Sequence, residues 1–268
     1  MSDVYAAYDQ REAKGWVENG VGFLQLNRPK AMNALSKDLL DAGRELVKLF
    51  TKDPEVKAIV VMGNEKVFGA GGDIKAMAKD EEGVIKAEDD IWHVNDFFFT
   101  LQDCPKPVVA AVRGLALGGG LELLLACDVN VIAEDATLAF PEINLGIFPG
   151  GGGTQRAPRY VGMGNAKYYI LTGEFFSAAE AHRIGIANVV VPADQVVERA
   201  TKLARKIGGK SPQAVKAAKH QINVALDHDL KSGCAGEQIS WSRLFGTKDQ
   251  QEGMIAFLEN RKPNFTGE

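Results

Sequence analysis

With 268 residues, 46% of them hydrophobic, the chain can bury a substantial core in one large domain with an appended segment. A formal net charge of -4 and a pI of about 5.7 supply no general basic face, which argues against nucleic acid as a partner. Cys104, Cys127 and Cys234 are odd in number, widely spaced and without a CxxC pair, so zinc and disulfide readings fail and reduced thiols are expected.

The N-terminal MSDVYAAYDQREAKGW is polar and lacks an apolar signal core. The longest apolar run, in LELLLACDVNVIA, is interrupted by Glu122 and Asp128. Neither export nor membrane insertion is expected, and a soluble cytoplasmic protein is the simplest reading. Strands are predicted at VGFLQL, AIVVMG, PVVAAV, VNVIA and ANVVV, short β-branched or apolar runs bounded by turn residues. Between the first two lies SKDLLDAGRELVKLF, in which Leu39, Leu40, Gly43, Leu46, Val47 and Phe50 fall near one helical face. This alternation argues for an α/β core of repeated ββα turns over residues 1–195. From about Gln195 the pattern changes to helices alone, giving a C-terminal helical segment over 196–268.

Three segments carry candidate chemistry. KVFGAGGDIKAM (66–77) follows a strand and opens onto a helical pattern, so Gly69, Gly71 and Gly72 form a turn whose backbone N–H groups point outward. Its spacing matches neither the phosphate-loop nor the dinucleotide fingerprint. LALGGGLELLLACD runs Gly118, Gly119 and Gly120 into a buried helix that carries Glu122, and LAFPEINLGIFPGGGGTQR throws Glu142 forward after Pro141. An acid near a helix start is ordinarily a cap, but Glu122 sits inside an apolar run, where an unpaired carboxylate costs several kcal/mol. Two carboxyls in apolar surroundings suit proton transfer beside a carbonyl, because desolvation moves their pKa values toward neutrality. One N–H from each glycine turn could converge on a single oxygen as an oxyanion hole.

Between these segments, KDEEGVIKAEDDIWHVNDFFFTLQDCPKP reads as an acidic solvated stretch followed by core aromatics, Trp92, Phe97, Phe98 and Phe99. His93, His182, His220 and His228 lack metal-ligand partners, so no metal site is assigned.

Six blocks in order, NRPKAMNALS, GAGGDIKAM, LALGGGLELLLACD, PEINLGIFPGGGGTQR, LTGEFFSAAEAHRIGIANVVV and GMIAFLENRKPNF, resemble the enoyl-CoA hydratase/isomerase (crotonase) superfamily across essentially the whole chain. The resemblance implies a crotonase-like spiral of ββα units. It also implies that Gly72 and Gly119 are the oxyanion donors and that Glu122 and Glu142 are the acid/base pair. Arg28, Lys30 and Ala31 would lie along coenzyme A, with Gly71, Asp73 and Ile74 of the first glycine turn on the same side. Lys262 and Phe265 of the tail would reach its adenine end, within one subunit or across a subunit interface. The implied partner is an acyl-CoA thioester, and coenzyme A, as part of that substrate, leaves no separate cofactor required. The C-terminal helices would pack neighbouring subunits into a homotrimer or, paired, a homohexamer. Both acids together favour a hydratase, with a double-bond isomerase or a hydratase specialised for a cyclic or heteroatom-bearing acyl group as alternatives. The chain departs from the family pattern at Leu121, at Ala139 and Phe140, where Gly-Gln is usual, and at Gly72, where alanine is usual; Phe140 bears on the acyl pocket.

Overall fold

The computed structural model describes residues 2–78, 83–225 and 227–268. The acidic residues 79–82 of the KDEEG stretch and Leu226 of the predicted helix SPQAVKAAKHQINVAL lie outside the described residues. The strands are β1 (Ala13–Glu18), β2 (Val21–Leu26), β3 (Ala58–Met62), β4 (Val67–Gly69), β5 (Val108–Val112), β6 (Leu115–Leu117), β7 (Val129–Ala133), β8 (Thr137–Ala139), β9 (Phe176–Ser177) and β10 (Val189–Val191). They form two sheets, one of order β1-β2-β3-β5-β7-β10 and one of order β4-β6-β8-β9.

Every strand pair is parallel except the outermost β1–β2 and β8–β9. The chain lays β3 in the first sheet and β4 in the second before turning into helix. It repeats this with β5 and β6, then with β7 and β8, which is the expected spiral of ββα units. β3 and β5 are buried at every position, as parallel strands covered on both faces must be, and so read as continuous apolar runs.

Helix Lys37–Lys52 starts where the Ser36 side chain accepts from Leu39 N–H, and it buries Leu39, Leu40, Leu46, Val47 and Phe50. It packs on helix Val84–Gln102. The approach is close because Gly43 has no side chain: a Cβ there would stand 2.7 Å from Phe97 Cζ. The aromatic run on that second helix divides. Phe97 and Phe98 are fully buried, whereas Trp92 is 58% and Phe99 50% exposed, both on the helix face nearly opposite the core. His93 packs between the same two helices, its Nε2 2.6 Å from Lys37 Nζ.

Helix Val196–Gly208 lies against β3, β5 and β7 with Val196, Ala200 and Ala204 fully buried, so the packing of the first sheet runs on past residue 195. Helix Pro212–Asn223 buries no residue completely and is held instead by Lys219. Its ammonium donates to Asp128 Oδ2 at 2.8 Å and to the carbonyls of Leu101 and Lys106. The expected helical stretch 237–260 is two helices, Leu230–Leu244 and Lys248–Leu258. The second starts afresh where the Thr247 side chain accepts from Gln250 N–H. Among the described residues no helix is long and apolar enough to cross a membrane.

Candidate active site

The first wall of the site is the turn that follows β4. Gly71 adopts φ +96°, a backbone state costly for any residue with a Cβ, and the Asp73 side chain then caps the short helix Ile74–Met77. The segment 28–35 is stapled to this turn. Asn33 donates to the carbonyls of Val67 and Phe68, Ala70 N–H donates to Met32, and Leu35 N–H donates to Gly71 O at 2.7 Å. Arg28 completes the staple with ion pairs of 2.9 Å to Glu12 and to Asp73. Its hydrogen bond holds the Asp73 carboxyl below the usual carboxylate range. Two residues expected along coenzyme A are therefore paired with each other, whereas Lys30 and Ile74 are exposed.

The second wall is the turn between β6 and helix Gly119–Leu125. Gly118, at φ 51° and ψ -123°, occupies a region open in practice only to glycine. The two turns press together: a Cβ on Gly71 would stand 3.4 Å from Gly119 N, and one on Gly120 would stand 2.1 Å from Gly69 O. Among the described residues neither Gly72 N–H nor Gly119 N–H has a hydrogen-bond acceptor. The structure thus presses together the two turns that carry the expected donors, Gly72 and Gly119, 47 residues apart in the sequence.

Both carboxyls converge on this junction. Glu122 is 3% exposed, and its Oε1 accepts from Gly153 N–H at 2.7 Å. Burial raises its pKa against the opposing N–H groups of Gly153 and Gly151 and the charge of Arg156. Glu142 sits on the turn Pro141–Leu145, its Oε1 only 2.9 Å from where a Cβ on Gly118 would be. Among the described residues its enclosed Oε2 has no hydrogen-bond partner. Desolvation first, and the charge of Glu122 after the opposing backbone hydrogen bond, push Glu142 up to about 7. Glycines make room for both acids: a Cβ on Gly151 or Gly153 would come within 2.8 or 2.9 Å of a Glu122 oxygen.

The raised Glu142 pKa has a measurable sign in stability. Below the ordinary carboxyl value of 4.5 the group is protonated folded and unfolded alike; between 4.5 and about 7 the folded state holds the extra proton, so stability falls as pH rises through that window. Glu142→Gln carries no such cost. It is expected to match the wild type in melting temperature near pH 4.5 and to exceed it above pH 7, and equal melting curves at both pH values would contradict a raised pKa.

Phe140 is 2% exposed, its ring 3.0 Å from where a Cβ on Gly153 would stand, so it walls Glu122 from behind. Leu121 is fully buried core. The tail residues Lys262 and Phe265 are not brought to this junction. Asn264 N–H donates to Glu252, Thr266 and Gly267 N–H donate to the buried Asp249, and the Phe265 ring lies over Gly253. Arg156 was not singled out in the sequence, where it ends GGGGTQR and looks like any loop cation. It is 8% exposed, and its Nη1 donates to Gly151 O. Among the described residues no group of three or more His, Cys, Asp or Glu is placed to hold a metal ion.

A family model described as enoyl-CoA hydratase/isomerase matches residues 17–268. The mitochondrial enoyl-CoA hydratase of Pongo abelii is 41% identical over 247 residues, spanning 92% of this chain and 84% of that protein. The short-chain-enoyl-CoA hydratase of Clostridium acetobutylicum is 41% identical over 246 residues, spanning 91% of this chain and 94% of that protein. The crystal structure of enoyl-CoA hydratase from Bacillus anthracis superposes with a TM-score of 0.91 at 36% identity, covering 96% of this chain and all of that one. With the family model matched from residue 17 to the end and relatives of such identity over nine-tenths of its length, the chain belongs to the enoyl-CoA hydratase/isomerase family.

Proposed function

We propose that this chain catalyses the reversible addition of water across the α,β double bond of an enoyl-CoA thioester. The observation that carries the reading is the meeting of two pKa-raised carboxyls, Glu122 and Glu142, beside two backbone N–H groups without acceptors. The thioester oxygen sits between the N–H groups of Gly72 and Gly119, which stabilise the enolate-like charge that develops there. The two glutamates hold the water; one takes its proton as oxygen attacks Cβ while the other manages the proton at Cα. A Glu142 pKa of about 7 suits either duty near neutral pH. The thioester carbonyl is the electron sink, so the reaction calls for no metal or redox cofactor, and coenzyme A arrives as part of the substrate. The relatives named as hydratases support the same reaction.

A panel of short, medium, branched and cyclic enoyl-CoA thioesters, scored by loss of the conjugated enoyl absorbance in ¹⁸O-labelled water, tests this. Hydration with label incorporated is expected. Double-bond migration without label would replace the hydratase reading with an isomerase.

Coenzyme A contacts fall to exposed Lys30, to the backbone of Ala31 and Gly71, to the Asp73–Ile74 helix start, and to the tail of a neighbouring subunit. Arg28 shapes that surface through its pair with Asp73. The C-terminal helices support assembly as a homotrimer or homohexamer: Trp241, Phe245, Ile255, Phe257 and Leu258 are 47–81% exposed, far more apolar surface than a lone subunit leaves in water. Cutting the tail away would strip buried Asp249 of its N–H partners, so single substitutions test its role better. Lys262→Ala and Phe265→Ala are expected to raise KM for enoyl-CoA several-fold with little change in kcat, because they remove binding shared by ground and transition states. An unchanged KM in an oligomer that sizes as wild type would show that the tail does not touch the ligand.

A further inference from the structure

Glu122 is held from behind as well as from its own helix. The Gly151–Gly153 turn that donates to its carboxylate is itself clasped by Arg156, whose Nη1 donates to Gly151 O at 3.0 Å. The fit is tight, since a Cβ on Gly152 would stand 2.1 Å from that Nη1. Two further contacts fix the guanidinium. Nε donates to Gln102 Oε1 at 2.9 Å, and the group lies over the Phe99 ring, 5.0 Å from its centre. Both partners belong to helix Val84–Gln102, so Arg156 ties that helix to the turn.

No carboxylate pairs with Arg156, and its Nη2 is enclosed without a partner among the described residues. Arg156 also lines a cavity of about 1240 Å³ with Phe99, Gln102 and Gly152, but the enclosed Nη2 gives a ligand there no access to the unsatisfied donor. A buried cation without a hydrogen-bonded anion is costly, and it persists where surrounding structure holds it. Of the carboxylates whose charge favours it, Glu122 comes first and Asp103 after it, while Tyr160 and Cys127, both pushed up by burial, stay protonated near neutral pH.

We propose that Arg156 is a positioning residue for Glu122: it fixes the turn that hydrogen-bonds the carboxylate and, among the described residues, supplies the positive charge that faces it. The inference rests on the reading of Glu122 as an acid/base group. The other titratable group facing Glu122 is Glu142, from the Pro141–Leu145 turn. From helix Val84–Gln102, Val94 and Phe98 lie where the Gly151 turn meets Glu122, with the neutral amides of Asn95 and Gln102 on Gly150 O and Arg156, and Phe140, the residue after β8, lies beside Gly153. Arg156 is therefore the counterweight to an otherwise apolar and acidic enclosure. It acts through Glu122 and does not reach the substrate.

The test compares Arg156→Met, which removes charge and fork, with Arg156→Lys, which keeps the charge. An opposite charge nearby lowers a carboxyl pKa by roughly 1–3 units, so its loss moves the Glu122 midpoint up by about one unit. The midpoint is read directly from the carboxyl infrared band that disappears in Glu122→Gln, titrated in protein without substrate, and again from the pH profile of kcat/KM. The expected result is an upward shift of both in Arg156→Met and a midpoint near wild type in Arg156→Lys, which loses kcat through looser geometry. Should the Met variant fail to fold, Arg156→Gln, which can still donate to Gly151 O, replaces it. An unmoved infrared midpoint in the charge-free variant overturns the proposal, as does an equal shift in Met and Lys variants. A moved midpoint together with full activity in Glu122→Gln would overturn the acid/base reading of Glu122 while leaving its electrostatic link to Arg156 intact.

Discussion

Replacing Glu142 or Glu122 with glutamine lowers kcat for enoyl-CoA hydration by roughly 10²–10⁴-fold while coenzyme A affinity stays nearly constant. Glutamine keeps the volume of each side chain and loses the transferable proton. Enclosure sharpens the expectation. Glu122 is 3% exposed and Glu142 keeps an enclosed oxygen without a protein partner, so bulk water cannot easily take over from either group. The two substitutions differ in what they disturb. At Glu122 the amide oxygen can still accept from Gly153 N–H, which preserves the turn. At Glu142 the amide oxygen can still accept the backbone N–H that its carboxyl accepts, and the variant gains stability above pH 7. Loss of activity with retained or improved stability separates a catalytic acid from a structural one, and near-normal hydration by either single variant would end the two-glutamate mechanism.

Gly119→Pro lowers kcat by about 10²–10³-fold, the usual consequence of losing one oxyanion donor. The donor is a backbone group, so only proline deletes it. Position 119 is favourable for this change because it is the first residue of its helix, where the N–H serves no helical hydrogen bond and proline is well tolerated. A Cβ at this position would stand 2.7 Å from Leu35 Cδ1, the flexible end of a side chain that can give way. By contrast, a Cβ on Gly120 would stand 2.1 Å from Gly69 O, so substitution there would break the junction instead of the chemistry. Circular dichroism and a melting curve accompany the kinetics. A folded variant with full activity would rule out Gly119 as a donor.

The first sheet is easily read from residues alone, because strands buried on both faces become uninterrupted runs such as AIVVM and VVAAV. β4, β6, β8 and β9 have only two or three residues, too few for any periodicity to register, and so the second sheet is invisible until the chain is folded. β1 escapes for another reason: AKGWVE is an edge strand that keeps polar residues toward water. Glu122 stands out because an acid within LELLLAC violates burial rules. Arg156 breaks no local rule, since only tertiary packing turns a loop-like arginine into a buried one. The pairing of Arg28 with Asp73 is likewise hidden, as 45 residues separate two charges that each look free on their own.

Gly119 and Glu122 ride on one helix three residues apart, a rise of about 4.5 Å that no side-chain motion can alter. Glu142 stands on a separate turn. Under the proposed mechanism the helix acts as a ruler: the span from carbonyl anchor to one proton-handling carboxyl is set by helical pitch, and only the other carboxyl is adjustable. Substitutions that widen the range of acyl groups accepted should therefore accumulate around the Pro141–Leu145 turn, while the Gly119–Leu125 helix stays constant from one substrate to the next.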